Sequence, residues 1–361
     1  MAASETGIMA LEDFTAALEW QARHAEENGA PATARVIRAL AEVRASDTAT
    51  GRRIANWPGL TLKDAMPLRI AGGFHHLLLS GADERLADVY RGTITDQATV
   101  NAMVLDLTHR FDAQLLPWLD GPPQTNEAGR SASIMAGLLW LAQRVQAPRF
   151  DLFELGASAG VNTMIDRYFF RLGGTEVGPP DSPMRITPEW RGASPPAPPA
   201  GFSIARVKGC DIAPIDLADR EAALRLKAYV WPDAGERMAR IDAAIALAGK
   251  QPPDLVAADA GEFASEMLAH PQLPGEARVM FHSIMWQYMP AATQARITAA
   301  FEAAGQRATP NTPLGWVALE TDPATFRHEL RVRLWDGASN HGEEHLLSHA
   351  HPHGAWVEWL A

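Results

Sequence analysis

Cysteine is almost absent. Cys210 is the only one in 361 residues, so no internal disulfide framework can staple the fold, which suits a chain kept in a reducing cytoplasm. Excess positive charge is absent too: 32 Lys and Arg stand against 43 Asp and Glu, a formal net charge of −11. That balance speaks against adhesion to a phosphate backbone, and no nucleic-acid partner is expected. Long apolar runs are missing as well. The longest, near Ile134 to Ala142, is far too short to cross a bilayer, and the acidic N-terminus lacks the basic region of a secretion signal. A soluble cytoplasmic protein with no membrane partner is the expectation. With 47% hydrophobic residues the chain can still pack one large or two moderate domains.

What is present centres on Phe150 to Asn162, F-D-L-F-E-L-G-A-S-A-G-V-N. Leu152, Phe153 and Leu155 suit a buried parallel strand, and the small residues from Gly156 to Gly160 let the backbone turn and approach a ligand closely. A helix after the loop, near Val161–Phe170, would aim its free N–H groups at that ligand. Two chemistries compete for these residues. One is the glycine loop of a dinucleotide or S-adenosylmethionine fold, with Glu154 accepting from a ligand's ammonium or hydroxyls. The other is G-x-S-x-G, since Gly156, Ser158 and Gly160 match a hydrolase nucleophile elbow. A strict dinucleotide fingerprint would want glycine at 158 and near 161, so Ser158 and Val161 weaken the NAD reading.

Position helps to decide. An elbow serine follows several strands, but the first 148 residues read as helices. Leu11, Phe14 and Leu18 share one helical face, and Val100, Val104, Leu107, Phe111 and Leu115 keep helical spacing. Beyond the loop and a proline-rich excursion, strands and helices alternate. Strands are expected at 202–207, 254–260, 277–281 and 314–320, with helices at 220–228, 235–248 and 291–304. Segments 329–335 and 355–360 are expected to close the sheet as an antiparallel hairpin. The expected architecture is α/β: an all-α cap domain over 1–148, then a Rossmann-like, mostly parallel sheet over 149–361.

In such sheets ligands lie beyond the carboxyl ends of the strands. Asp211 is suited to a ribose diol and Asp259 to an adenine amino group. His282 could take a proton from a substrate, with Ser283, Trp286 and Tyr288 close enough in sequence to line the same cleft. Gln124, Asn126, Glu127 and Arg130 either start a helix or face a substrate. Cys210 beside Asp211 reads as a packed residue, because a nearby carboxylate would raise its pKa. His341 and His345 complete H-x-x-E-H, a zinc-protease pattern, but Gly342 weakens the helix it needs and no metal is assigned. The default there is a polar hairpin loop, with His351 and His353 as lid contacts. Trp231-Pro232-Asp233 is expected to break one helix and cap the next.

Nearly the whole chain resembles an uncharacterised bacterial family known as a domain of unknown function, whose C-terminal half is similar to class I S-adenosylmethionine-dependent methyltransferases. The resemblance is carried by Q-T-N-E-A-G-R (124–130), E-L-G-A-S-A-G-V-N (154–162), G-C-D-I-A-P-I-D (209–216), Y-V-W-P-D (229–233), F-H-S-I-M-W-Q-Y (281–288) and H-P-H-G (351–354). It implies an S-adenosylmethionine fold, mainly through 154–160, and with the strand-end candidates the expected cofactor contacts are Glu154, Gly156, Ser158, Gly160, Asn162, Asp211, Asp259 and Ser283. His282 and Tyr288 would be catalytic. Gln124, Asn126, Glu127, Arg130, Trp286 and His353 would meet a small-molecule acceptor. The alternatives are a serine hydrolase pairing Ser158 with a late histidine such as His353, and a non-catalytic ligand-binding protein on a degenerate fold.

Overall fold

The computed structural model describes residues 13–337 and 342–361. Leu11 and His341, both used in the sequence reading, lie outside the described residues. The chain forms two compact units. One is the chain up to Thr125 with Asp219–Asp242; the other is Asn126–Ala218 with Ala243–Ala361.

The first unit is helical, with principal helices at Phe14–Glu27, Pro31–Ala45, Met66–Leu79 and Gln97–Leu115. Their apolar faces bury Val36, Ile37, Leu40, Ile70, Phe74 and Leu107 in one core. Segment 219–242 belongs here for a reason local sequence cannot show. Pro31 begins a helix whose preceding residue, Ala30, offers no side-chain cap. Asp233 supplies it from 200 residues away, its carboxylate accepting from Ala32 N (2.7 Å), Thr33 N (3.3 Å) and Thr33 Oγ1 (2.7 Å). Asp233 thus caps a helix remote in sequence. His75 reinforces the join: its Nδ1–H donates to Ala228 O (3.1 Å), and burial pushes its pKa down to about 4.

The second unit is built on a nine-stranded sheet. Its strands are β1 (Arg149–Leu155), β5 (Glu189–Arg191), β6 (Ser203–Asp211), β7 (Asp254–Ala257), β8 (Glu276–Ser283), β9 (Leu314–Thr321), β10 (His328–Trp335), β11 (Glu344–Ala350) and β12 (Trp356–Trp359). The order across the sheet is β5-β12-β11-β10-β9-β8-β1-β6-β7. Neighbours from β7 to β9 are all parallel, whereas β9 to β12 are antiparallel. After β1 the chain steps outward to β6 and β7, then returns across β1 to β8. The strand order therefore reverses between β1 and β8, and ligand sites in open α/β sheets lie at such a reversal. A small second sheet, β3-β2-β4 (Thr175–Val177, Phe169–Leu172, Arg185–Ile186), occupies the proline-rich excursion.

Three expectations are corrected. The helix expected over 161–170 is a six-residue 3-10 turn, Asn162–Arg167, followed by β2. The run Tyr168-Phe169-Phe170 is entirely buried and favours extended backbone, so the chain leaves the helical region early. Segments 329–335 and 355–360 are not hairpin partners, because β11 lies between them. Its register shifts between Leu330 and Arg331, leaving Leu347 and Ser348 both buried and hiding the period-2 signal. Helix Ser131–Ala142, which the sequence reading placed in a domain over 1–148, packs on β9, β10 and β11, and its residues are all buried. Among the described residues no helix is long and apolar enough to cross a membrane.

Candidate functional site

The loop after β1 is stitched to the end of β6. Ala157 N donates to Cys210 O (2.8 Å) and Ser158 N to Asp211 Oδ2 (2.9 Å), while Ile215 N donates back to Ser158 O (3.1 Å). Gly156 has φ +64°, a conformation that glycine takes freely. Ser158 at φ +52° pays steric strain for the same kind of turn, and its Oγ is buried with no hydrogen-bond partner. At the carboxyl end of β8, Ile284 has φ +51°, which is rarer still for a β-branched residue. Two of the four positive-φ non-glycine residues described thus flank the strand-order reversal.

A cavity of about 260 Å³ opens at the ends of β1, β6 and β7, walled by Gly156, Cys210, Asp211, Asp259, Met285 and Tyr288. Its rim carries Ile212 and Tyr288, which are 82% and 76% exposed, the highest values among the described large hydrophobic residues. Asp211 Oδ1 accepts from Ala213 N (3.0 Å), so each of its oxygens already fixes a loop and retains a second lone pair. Asp259 caps helix Ala260–Ala269 through Oδ1, which accepts from Gly261 N (2.9 Å) and Glu262 N (3.1 Å) and pairs with Arg296. All three of these contacts use Oδ1. Burial pushes the Cys210 thiol up to about 12, with Asp211 adding to the effect, so this sulfur is packing rather than nucleophile.

Glu154 does not line that cavity. It is buried beneath the loop, where Thr163 Oγ1 donates to its Oε2 (2.6 Å). Burial raises its pKa to about 8; the Thr163 bond and Arg130 oppose the rise, and Asp211 adds to it. At neutral pH it is mostly a neutral acid. Asn162, also buried, has neither amide atom hydrogen-bonded.

His282 is held on three sides. Trp316 Nε1–H donates to its Nε2 (2.9 Å), so the proton sits on Nδ1 and is donated to Glu320 Oε1 (2.6 Å), while Trp286 stacks at 5.0 Å between centroids. With both ring nitrogens engaged, His282 orients its neighbours and takes a substrate proton only by releasing Trp316. Glu320 Oε1 also accepts from Met285 N (3.1 Å), fixing the turn that carries Trp286 and Tyr288. Sequence reading passed over Glu320, although an acid ending β9 is the same signal that singled out Asp211 and Asp259.

The remaining motif residues converge from four separate stretches of the chain. Asn126 Oδ1 accepts from Val161 N (2.8 Å), and Glu127 caps the 3-10 turn Ala128–Arg130 by accepting from Gly129 N (3.3 Å). Arg130 is buried; its guanidinium donates to Ser283 O (3.3 Å) and to Pro352 O (2.9 Å). Gly129 lies so close to the 351–354 loop that an added Cβ would stand 2.5 Å from His353 O. Ser283 therefore contributes its carbonyl, and His353 enters through this loop, its N–H donating to His351 Nδ1 (3.1 Å). Gln124 falls in the helical unit and is half-buried.

His345 and His349 lie on β11, not on a helix. His345 packs on Trp140 (4.9 Å between centroids), while His349 reaches Glu358 (3.3 Å) and Glu329 (3.7 Å). Among the described residues no three His, Cys, Asp or Glu side chains converge to hold a metal. No curated protein and no solved structure matches the chain. Residues 15–359 match the model of a family described as "Uncharacterized protein conserved in bacteria (DUF2332)", and with nearly the whole chain covered, the protein belongs to that family.

Proposed function

We propose that the protein binds S-adenosylmethionine in the cavity at the ends of β1, β6 and β7, on a methyltransferase-type Rossmann-like sheet, and methylates a small-molecule acceptor. One observation carries the reading: two strand-end carboxylates, Asp211 and Asp259, share a cavity whose rim presents the exposed Ile212 and Tyr288. A planar base between those two side chains would bury them, and the carboxylates would accept from a ribose diol and an exocyclic amine.

The residues fit such a ligand. A volume of about 260 Å³ lies just under the usual lower end for ligand pockets, roughly 300 Å³, which suits the nucleoside portion. When bound, S-adenosylmethionine supplies an electrophilic methyl group, which joins an acceptor lone pair while the bonding electrons stay on sulfur. Gly156 floors the pocket beneath Met285, whose side chain would stand 2.7 Å from a Cβ added there. The Glu320–His282–Trp316 chain holds the turn bearing Tyr288, a positioning role that limits the reorganisation needed when substrates meet. The buried, neutral Glu154 supports the loop from below without adding charge.

Isothermal titration of S-adenosylmethionine and S-adenosylhomocysteine, with NAD as control, tests this. Saturable binding near micromolar, about −8 kcal/mol, is expected, weakened at least tenfold by Ile212→Glu with the melting temperature unchanged. No heat at millimolar ligand would sink the proposal. The strained Ser158 favours one rival, acyl transfer. Fluorophosphonate labelling that vanishes in Ser158→Ala would put that rival in its place.

A further inference from the structure

A second and larger cavity, about 360 Å³, lies on the face of β9, β10 and β11 beside helix Ala291–Gly305. Trp316, Ala318 and Glu320 alternate along β9 and so share this face. Trp286 and Trp316 form one corner, their centroids 5.4 Å apart and their planes at 56°. Beside them stands Glu320, whose Oε1 serves His282 and Met285 while its Oε2, shut off from solvent, accepts from nothing. A carboxylate oxygen in that state is an acceptor waiting for a donor.

Charge selects the donor. Four carboxylates line the cavity, Glu320, Asp322, Glu329 and Glu344, against the two guanidiniums of Arg331 and Arg333. Arg331 is matched by Glu329 and Glu344, and Arg333 by Glu302 and the Gly342 carbonyl. Asp322 Oδ1 accepts from Ala324 N, Thr325 N and Thr325 Oγ1. Arg331 also acts on Asp322 and helps to lower its pKa, whereas among the described residues Glu320 forms no ion pair with a lysine or arginine. Indole faces attract cations through the ring quadrupole, and unbalanced carboxylates repel anions. We infer that this cavity is a subsite for an organic cation, whose ammonium or guanidinium head pairs with the Glu320 carboxylate and lies against Trp286, while Arg333 already stands 6.0 Å from the Trp316 ring centroid. The turn that separates the two cavities joins them functionally: Met285 and Tyr288 line the first, Trp286 the second, and Glu320 holds Met285 N. Naming the occupant as the methyl acceptor rests on the cofactor reading above, whereas its cationic character does not.

The test is titration of benzylammonium, benzyl alcohol and benzoate into the full chain at neutral pH, with S-adenosylhomocysteine measured alongside on the wild type. Saturable benzylammonium binding, at least tenfold tighter than that of either analogue, is expected. Glu320→Gln, which keeps an oxygen for His282 and Met285, should weaken it at least tenfold. Trp286→Leu, which keeps an apolar wall but removes the ring quadrupole, should weaken it at least threefold and serves if the first variant fails to fold. Equal binding of the three probes, or benzylammonium affinity indifferent to both variants, would overturn the inference. Selective benzylammonium binding without S-adenosylhomocysteine binding would uphold the cation subsite and remove the cofactor reading; the reverse combination would overturn the subsite alone.

Discussion

Replacing Glu154 by glutamine should stabilise the sheet unit, and more so as pH rises. The folded chain holds this acid with its pKa raised from 4.5 to about 8, chiefly by burial. Between those values the unfolded chain has released the proton and the folded chain has not, so stability falls as pH rises. The slope is about 1.36 kcal/mol per pH unit. From pH 4.5 to pH 7 this amounts to roughly 3.4 kcal/mol of lost stability, and in practice about 1–3 kcal/mol once the fold relaxes around the charge. Glutamine keeps an oxygen for Thr163 Oγ1, 2.6 Å away in the wild type, and does not titrate. Urea unfolding from pH 5 to pH 8 should therefore show the variant gaining on the wild type with each unit, the gain levelling off above about pH 8. Hydrogen exchange of the β1 amides would assign the effect to the sheet rather than to the helical unit. Infrared spectra should show a protonated carboxyl band in the wild type at pH 6 that the variant lacks. A wild-type-minus-variant difference that stays flat across this range, or rises with pH, would refute a neutral Glu154.

Two further predictions concern what holds the site in place. Asp151 accepts from Arg206 Nε (3.0 Å) and from the buried Arg278 Nε (3.2 Å); Asp151→Ala should cost about 3–5 kcal/mol by leaving a buried guanidinium without its counter-charge, read as a drop in urea midpoint. Gly129→Ala would drive a Cβ to 2.5 Å from His353 O; a loss of about 1–3 kcal/mol is expected, with faster proteolytic cleavage at 351–354.

The sheet was legible because its determinants are local. Short apolar stretches leading to Glu154, Asp211 and Asp259 mark three parallel strands, of which only the first is buried along its length, and helix Arg220–Ala228 has the bounds that its pattern predicts. What escaped depends on partners remote in sequence or on broken periodicity. Asp233 reads as a local cap until the helix at Pro31 is seen to need one. β11 carries histidines where a strand would show alternating apolar residues, and its register shift buries two successive side chains. The role given to Glu154 shows a different limit. Its place at a strand end was readable, but whether the carboxylate faces a cavity or Thr163 depends on how far the loop folds back over it.

The same limit explains why His282 drew attention that belongs in part to Glu320. Histidine after a strand suggests proton transfer, yet a ring nitrogen that accepts from Trp316 has its lone pair engaged, and the other already bears the proton. The acid beyond it has one oxygen engaged by His282 and Met285 and one without a partner. Polar chains of this kind stiffen the groups they satisfy, and a buried oxygen left without a donor is costly. The cation proposed for this cavity should therefore be sought at the Glu320 carboxylate, with His282 and Trp316 as the frame that holds it.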